Sequence, residues 1–326
     1  MKRILTGLQP SGELTLGNLI GGIRQSIKYQ DEYESFIFVP ELHAITVPQD
    51  RELLKERIKK NVALSIASGI EPKKNIIYIQ SENLYHANLS WILECTTYMG
   101  EASRMTQYKD KSSKGENISV GLFTYPILMA SDILLYDADY VPTGIDQKQH
   151  VELCRDLATR FNKKYGSTFK IPEPMIPEMG AKIMDLQDPT KKMSKSEENP
   201  KGVILLLDDE KTIRKKIMSA VTDSDATIYY DLEKKPGISN LLTIYATLKE
   251  ISIEDAVLHF KDYNYGSLKK EVADTVVEKI TAIQEKYNEI INSNIIDEIL
   301  DEGKKKTNEI AKAKYEEVIS KIGLGR

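Results

Sequence analysis

Two hydrophobic periods alternate along the first half of the chain. "RILTGL" (3–8) reads as a strand, and a turn rich in Pro, Ser and Gly follows it. From about Asn18 to Tyr29 the period changes to a helix, with Ile20, Ile23 and Ile27 on one face. "SFIFVP" (35–40) is a second strand. The next helix carries Leu54, Ile58, Val62 and Ile66 four apart and stops at Gly69. "NIIYIQ" (75–80) is a third strand, and "YVPTG" (140–144) a later one that places Val141 and Thr143 on one side. Apolar strands separated by amphipathic helices predict an α/β fold, a doubly wound parallel sheet with right-handed crossovers. Past about residue 187 strand signals thin out. "NLLTIYATLKEI", "VADTVVEKITAIQEKYNEIINS" and "NEIAKAKYEEVISKI" are helical in period, which predicts a smaller, mostly helical second domain. No internal repeat or low-complexity segment interrupts the pattern.

Composition narrows the class. With 326 residues, 41% of them hydrophobic, the chain is long enough for two domains and a substantial core. No apolar run reaches the length of a membrane span, and "MKRILTGLQPSG" lacks the apolar core of a signal peptide. Cys95 and Cys154 have neither a disulfide framework nor zinc spacing, so a cytoplasmic protein is expected. A net charge of −4 argues against a general nucleic-acid coat while leaving room for local basic patches.

Two polar segments stand out. The turn "GLQPSGELTLGN" after the first strand fits neither GxGxxG nor a P-loop. It offers Gly12 and Gly17 for close backbone approach and Gln9, Ser11, Thr15 and Asn18 as uncharged polar groups. An ordinary turn capped by Thr15 or Asn18 is an equal reading. "KKMSKSEENP" (191–200) gathers three lysines and two serines in six residues. By itself such a run reads as solvated surface.

The pair "PSGELTLGN" and "KMSKS", in this order, resembles the two signatures of class I aminoacyl-tRNA synthetases. Most of that class has His-x-Gly-His where Thr15-Leu16-Gly17-Asn18 stands here, which is similar to the tryptophanyl branch. "HAIT" (43–46), "RMTQYKDK" (104–111), "TYPILMASDILLY" (124–136), "GIDQKQHVEL" (144–153) and "PGISNLL" (236–242) match that branch too. The resemblance spans nearly the whole chain and points to the bacterial type.

That resemblance implies a Rossmann-like catalytic domain over 1–187 and a helical tRNA anticodon-binding domain over 188–290, beginning with the KMSKS loop. The C-terminal helix of 291–326 packs back on the first domain or belongs with the second. In the implied reaction, tryptophan attacks the α-phosphate of ATP, releases pyrophosphate, and passes from the adenylate to the 3′-terminal adenosine of tRNA(Trp). Such a step needs in-line placement and cancellation of charge on the leaving pyrophosphate more than proton chemistry. Lys192, Lys195 and Lys111, with Thr15 and Asn18, are the implied catalytic residues. By the same resemblance, ATP is expected against Gln9, Pro10, Ser11, Gly17 and Asn18, then Gly144, Ile145 and Asp146, then Ile183, and along Lys192, Met193, Ser194, Lys195 and Ser196. Mg²⁺ is expected with ATP and without a protein cage.

For tryptophan, Tyr125, Met129 and Asp132 fall at i, i+4 and i+7 on one helix face. A carboxylate there reads by itself as a cap or a structural salt bridge, since an unpaired buried charge is costly. The resemblance makes Asp132 the acceptor of the indole N–H. It also places Gln147 at the substrate amino group and adds Val141, Thr143, His43 and Leu5 to the pocket. Thr143 and Leu5 depart from the family, which commonly has an aliphatic and an aromatic residue there. His150 reads as structural, Tyr98 and Met99 as core or subunit interface, and Lys304–Lys306 as a solvated face. A homodimer is expected, and no membrane. Three rivals are a tyrosyl enzyme of the same fold, a small nucleotidyltransferase and a non-catalytic tRNA-binding relative. The "MASDILLYDADYVPTGIDQ" string, the length, and the intact Lys192, Lys195, Asp132 and Gln147 weigh against them in turn.

Overall fold

The computed structural model of the chain describes all residues except 9, 11, 107, 110–118, 145–146, 177–181 and 195–198. At its centre lie β1 (Arg3–Gly7), β2 (Glu34–Val39), β3 (Asn75–Ile79), β4 (Tyr140–Pro142) and β5 (Glu173–Met175), in the order β3-β2-β1-β4-β5. Every neighbouring pair is parallel, with Ile4 opposite both Ser35 and Tyr140. From β1 the chain winds outward through β2 to β3, then returns to the other side of β1 as β4. The order therefore reverses between β1 and β4, where crossovers diverge and leave a crevice beyond the strands' carboxyl ends. Two details differ from the sequence pattern. β4 is shorter than "YVPTG", and β5 gave no strand signal, because "EPM" carries a proline tolerated only at a sheet edge.

The period of two in the strands sorts the core into two layers. Phe36, Phe38 and Tyr78 face one side, with Leu89, Leu134, Leu157 and Phe161 from the helices Tyr85–Glu94, Val120–Leu134 and Lys148–Tyr165. Ile37, Val39 and Ile77 face the other, with Leu19, Ile23 and Val62. That second layer continues into the helical part through Leu241, Phe260 and Val276, so sheet and helices share one apolar core. Its main helices are Glu210–Met218, Pro236–Lys249, Ile253–His259, Tyr265–Ile291 and Ile295–Lys321.

Local chemistry explains the boundaries. Asp50 caps Arg51–Ala67 by accepting from the Leu53 N–H at 2.9 Å. Gly69 ends it at φ 122°, where a Cβ would also sit 3.0 Å from the Ile27 side chain. The helix after β1 starts two residues earlier than its hydrophobic pattern suggests, at Leu16. It holds a π-helical stretch over Leu19–Ile23 before Arg24–Tyr29. Helix Ile295–Lys321 lies against β3, and Gly303 is what lets it: a Cβ there would meet the Ile77 carbonyl oxygen at 1.8 Å. Among the described residues, no helix is long and apolar enough to cross a membrane.

Candidate active site

A cavity of about 380 Å³ opens at the reversal point, a volume within the range of small-molecule sites. Gly7 at the end of β1, Phe38 near the end of β2, and Pro142 and Thr143 at the end of β4 form its floor and walls. The helix Val120–Leu134 closes one side with Tyr125, Met129 and Asp132, the face read from their spacing. Leu5, His43, Val141, Thr143, Gly144 and Gln147 line the same space, so the expected amino-acid residues meet in one place.

Asp132 is wholly buried, and its carboxylate is wrapped by donors. Oδ1 accepts from Gln80 Nε2 at 2.6 Å and from His86 Nδ1 at 2.7 Å. Oδ2 accepts from His43 Nε2 at 2.8 Å. Burial alone would raise its pKa, but the hydrogen bonds from His43 and His86 outweigh it and bring the group down to about 2. Asp132 is therefore a fixed anion with both oxygens oriented. Part of the plain structural reading thus holds, since the carboxylate does pair with histidines; yet it also lines the cavity.

Around it the polar groups are ordered in a ring. His150, expected to be structural, bridges two cavity residues: its Nδ1 donates to Gln147 Oε1 at 2.8 Å, and Tyr125 Oη lies 3.3 Å from its Nε2. Burial pushes the Tyr125 hydroxyl up to about 12, so it remains a neutral phenol. Thr143 is the exception. Its Oγ1 is buried and finds no partner among the described residues.

The fold brings the two signature segments together. Thr15 and Asn18 form a reciprocal capping box. Thr15 Oγ1 accepts from the Asn18 N–H at 3.1 Å, and Asn18 Oδ1 accepts from the Thr15 N–H at 3.0 Å. The capped-turn reading is thus realised, and the box holds the helix N-terminus in shape beside the turn. Gly17 packs beside Met193, where a Cβ would lie in ordinary contact, 3.5 Å from both the Met193 Cβ and its carbonyl oxygen. Leu16 N donates to Ile204 O, and Leu206 N to Leu14 O, both at 2.9 Å. Met193 N in turn donates to Ile183 O at 2.9 Å, so Ile183 is the backbone rail of the KMSKS loop. Met193 is buried as its anchor, while Lys191 and Lys192 project outward, Lys191 toward Asp188. Pro10 is buried in the turn beside Gly12. Gln9, Ser11, Lys111, Ile145, Asp146, Lys195 and Ser196, all expected at the nucleotide, lie outside the described residues.

Sequence reasoning missed Gln80 and His86. Gln80 follows β3 at its carboxyl end, the position where parallel sheets place ligand-side groups, so it had a signal. His86, in "YHANLSW", had none, because only the packing of two helices brings it to Asp132. Tyr98 and Met99 are 63% and 73% exposed, which removes the core reading. The Lys304–Lys306 run is solvent-exposed.

Comparison with known proteins gives the same picture. Residues 1–283 match the family model described as tRNA synthetases class I (W and Y). A tryptophan–tRNA ligase of Halalkalibacterium halodurans is 52% identical over 325 residues, covering 100% of this chain and 98% of that one. The crystal structure of a tryptophanyl-tRNA synthetase from Mycoplasma pneumoniae superposes with a TM-score of 0.91 at 37% identity, over 100% of this chain and 98% of its own. A Campylobacter jejuni tryptophanyl-tRNA synthetase, solved with ADP and tryptophan, gives 0.86 at 38% identity over 99% and 100% of the two chains. With matches of this extent and a cavity built on the expected residues, the chain belongs to the tryptophanyl-tRNA synthetases of class I.

Proposed function

We infer that this chain attaches L-tryptophan to tRNA(Trp) in two steps. A tryptophan carboxylate oxygen attacks the α-phosphorus of ATP; the bond to the bridging oxygen breaks, and pyrophosphate leaves. A ribose hydroxyl of the terminal adenosine of tRNA then takes the activated carbonyl, and AMP leaves. The observation that carries the reading is Asp132: a buried anion on the cavity wall, oriented by three donors, in a site otherwise apolar enough for an indole. It would accept the indole N–H while Leu5, Phe38, Met129 and Val141 pack on the ring. Gln147 and Tyr125 would meet the amino-acid end.

ATP would lie between the capped turn of residues 9–18, the loop from Gly144 to Asp146 and the backbone at Ile183, with Met193 fastening the KMSKS loop to Gly17. Lys192, Lys195 and Lys111 would neutralise the departing pyrophosphate, with Ser194 and Ser196 as hydrogen-bond donors. Their target charge grows in the transition state. The described residues hold no group of three or more His, Cys, Asp or Glu side chains arranged for a metal ion. Mg²⁺ would accompany ATP, carried mainly by phosphate oxygens and water, and would supply charge neutralisation on the nucleotide.

Residues 1–187 would form the catalytic unit and 188–290 the part that receives the anticodon arm. The helix after 291 goes with the catalytic unit, on the strength of its contact with β3. The cytoplasm is the compartment proposed, with a homodimer as the working form. Exposed Trp91, Tyr98 and Met99 would supply apolar contacts for the second subunit. Pyrophosphate exchange into ATP tests the reaction: tryptophan should support it and tyrosine should not. Exchange with tyrosine alone would overturn the assignment.

A further inference from the structure

Asp132 does not stand alone. A line of buried polar groups leads to it through the interior. Asn83 Nδ2 donates to Tyr136 Oη at 3.1 Å, Tyr136 Oη lies 2.8 Å from His86 Nε2, and His86 Nδ1 lies 2.7 Å from Asp132 Oδ1. Asn83, Tyr136, His86 and Asp132 are all buried, with His86 and Asp132 at 0% exposure. The line ends on the C-terminal helix, because Asn83 Nδ2 also donates to the Thr307 carbonyl at 3.2 Å.

Proton positions follow from acceptor chemistry. An ionised carboxylate only accepts, so His86 Nδ1 carries a hydrogen. Tyr136 Oη accepts from Asn83 Nδ2 and makes its second hydrogen bond with His86 Nε2. Both ring nitrogens of His86 are thereby engaged, Nδ1 toward Asp132 and Nε2 toward Tyr136, so the ring is held in one orientation. Gln80 is held likewise: its Oε1 accepts from the Leu42 N–H at 3.2 Å while its Nε2 donates to Oδ1. A carboxylate offers about four acceptor positions. Gln80 and His86 fill those of Oδ1, and His43 fills one of Oδ2.

We propose that His86 is a positioning residue for amino-acid selection, which occupies Oδ1 from the interior so that the remaining acceptor position, on Oδ2, is the one presented to the cavity. Tyr136 and Asn83 hold the imidazole ring in place and tie that orientation to the C-terminal helix. The proposal rests on Asp132 reading the indole N–H. A carboxylate free to rotate would spread its acceptor positions, lose affinity for indole and lose discrimination against a ring without an N–H.

The ring nitrogens can be mimicked separately. In His86→Asn the amide nitrogen reaches the place of Nδ1, and in His86→Gln it reaches the place of Nε2. Pyrophosphate exchange is measured for both, with Tyr136→Phe, Asp132→Ala and wild type, on tryptophan and phenylalanine, together with each protein's Tm. His86→Asn, which keeps the donor to Oδ1 and loses only the Tyr136 contact, should raise the KM for tryptophan no more than Tyr136→Phe does. His86→Gln should raise it by about tenfold or more and narrow the tryptophan-over-phenylalanine ratio, with the KM for ATP unmoved. Tyr136→Phe should raise the tryptophan KM by a smaller factor.

A pH profile adds a readout that loss of packing does not move. The titratable groups facing Asp132 are His43, His86, Tyr78, Tyr136 and Cys154. His43 is common to all variants, so their differences report the His86 link. In His86→Gln, kcat/KM for tryptophan should begin to fall at a higher pH than in wild type, as Asp132 protonates sooner. Equal behaviour of His86→Asn and His86→Gln, or wild-type discrimination in His86→Gln, overturns the proposal. Should neither His86 variant fold, an unchanged tryptophan KM in Tyr136→Phe overturns it. Wild-type discrimination in Asp132→Ala instead removes the reading beneath it.

Discussion

Asp132 combines zero exposure with a pKa near 2, because the hydrogen bonds and charge interaction from His43 and His86 outweigh the effect of burial. The indole N–H is one hydrogen bond to a charged acceptor, worth about 1.5–3 kcal/mol. Asp132→Ala should therefore lower kcat/KM for tryptophan by at least about tenfold and shrink the preference over phenylalanine, with ATP affinity near wild type. Steady-state exchange on both amino acids reads this directly. The same group carries a pH signature. Its folded value lies below the unfolded value of about 3.9, so its stabilisation is present above that value and is lost as pH falls toward 2. The full difference is on the order of 2 kcal/mol. Urea unfolding at about pH 5 and about pH 3 should show a larger loss in wild type than in Asp132→Asn. Thr143 makes the opposite case. Its hydroxyl is buried without a partner among the described residues, so Thr143→Val should raise Tm, a gain of about 1 kcal/mol.

At the scale of elements, the packing of helix Ile295–Lys321 on β3 depends on one missing side chain. Gly303→Ala gains about 1 kcal/mol of helix propensity but forces a methyl onto the Ile77 carbonyl, and overpacking costs about 1–3 kcal/mol. The clash should win, lowering Tm. If the Asn83–Thr307 link matters, the tryptophan KM should rise as well. The KMSKS loop belongs to this scale too. Lys195→Ala should slow adenylate formation strongly and leave ATP-free tryptophan binding unchanged, because its target charge grows in the transition state. Pre-steady-state adenylate formation beside equilibrium tryptophan binding separates the two. A mutant that loses only ground-state ATP affinity contradicts the assigned role.

Across the whole molecule, the shared apolar layer ties the sheet to the helical part, and a buried cation fastens the segment that enters it. Lys235 Nζ donates to Asp223 Oδ1 at 2.7 Å, to the Thr227 carbonyl at 3.0 Å and to Tyr265 Oη at 2.8 Å, and it pairs with Asp225. These bonds hold its pKa above the usual lysine value despite burial. Assembly is the remaining question at this scale. Sedimentation should give about twice the 37.0 kDa chain mass, and a monomer with full activity would contradict the dimer. Charge substitution at the exposed Trp91 or Met99 should dissociate it.

The sequence by itself determined the periodic elements, the parallel sheet and the two signature segments, because hydrophobic period and turn chemistry are local. It also placed Tyr125, Met129 and Asp132 on one face, since spacing along a helix fixes direction. β5 was not legible: three residues containing a proline become a strand only when a neighbour offers its edge. Nor was the start of the first helix, which the reciprocal Thr15–Asn18 cap sets against the apolar pattern. Gln80 and His86 converge on Asp132 from about fifty positions away, and Thr307 joins them from the opposite end of the chain. Which donors surround the carboxylate of Asp132 is decided by those distant residues. Tertiary structure alone could settle it, because a buried charge is defined by whatever surrounds it and not by its neighbours in sequence.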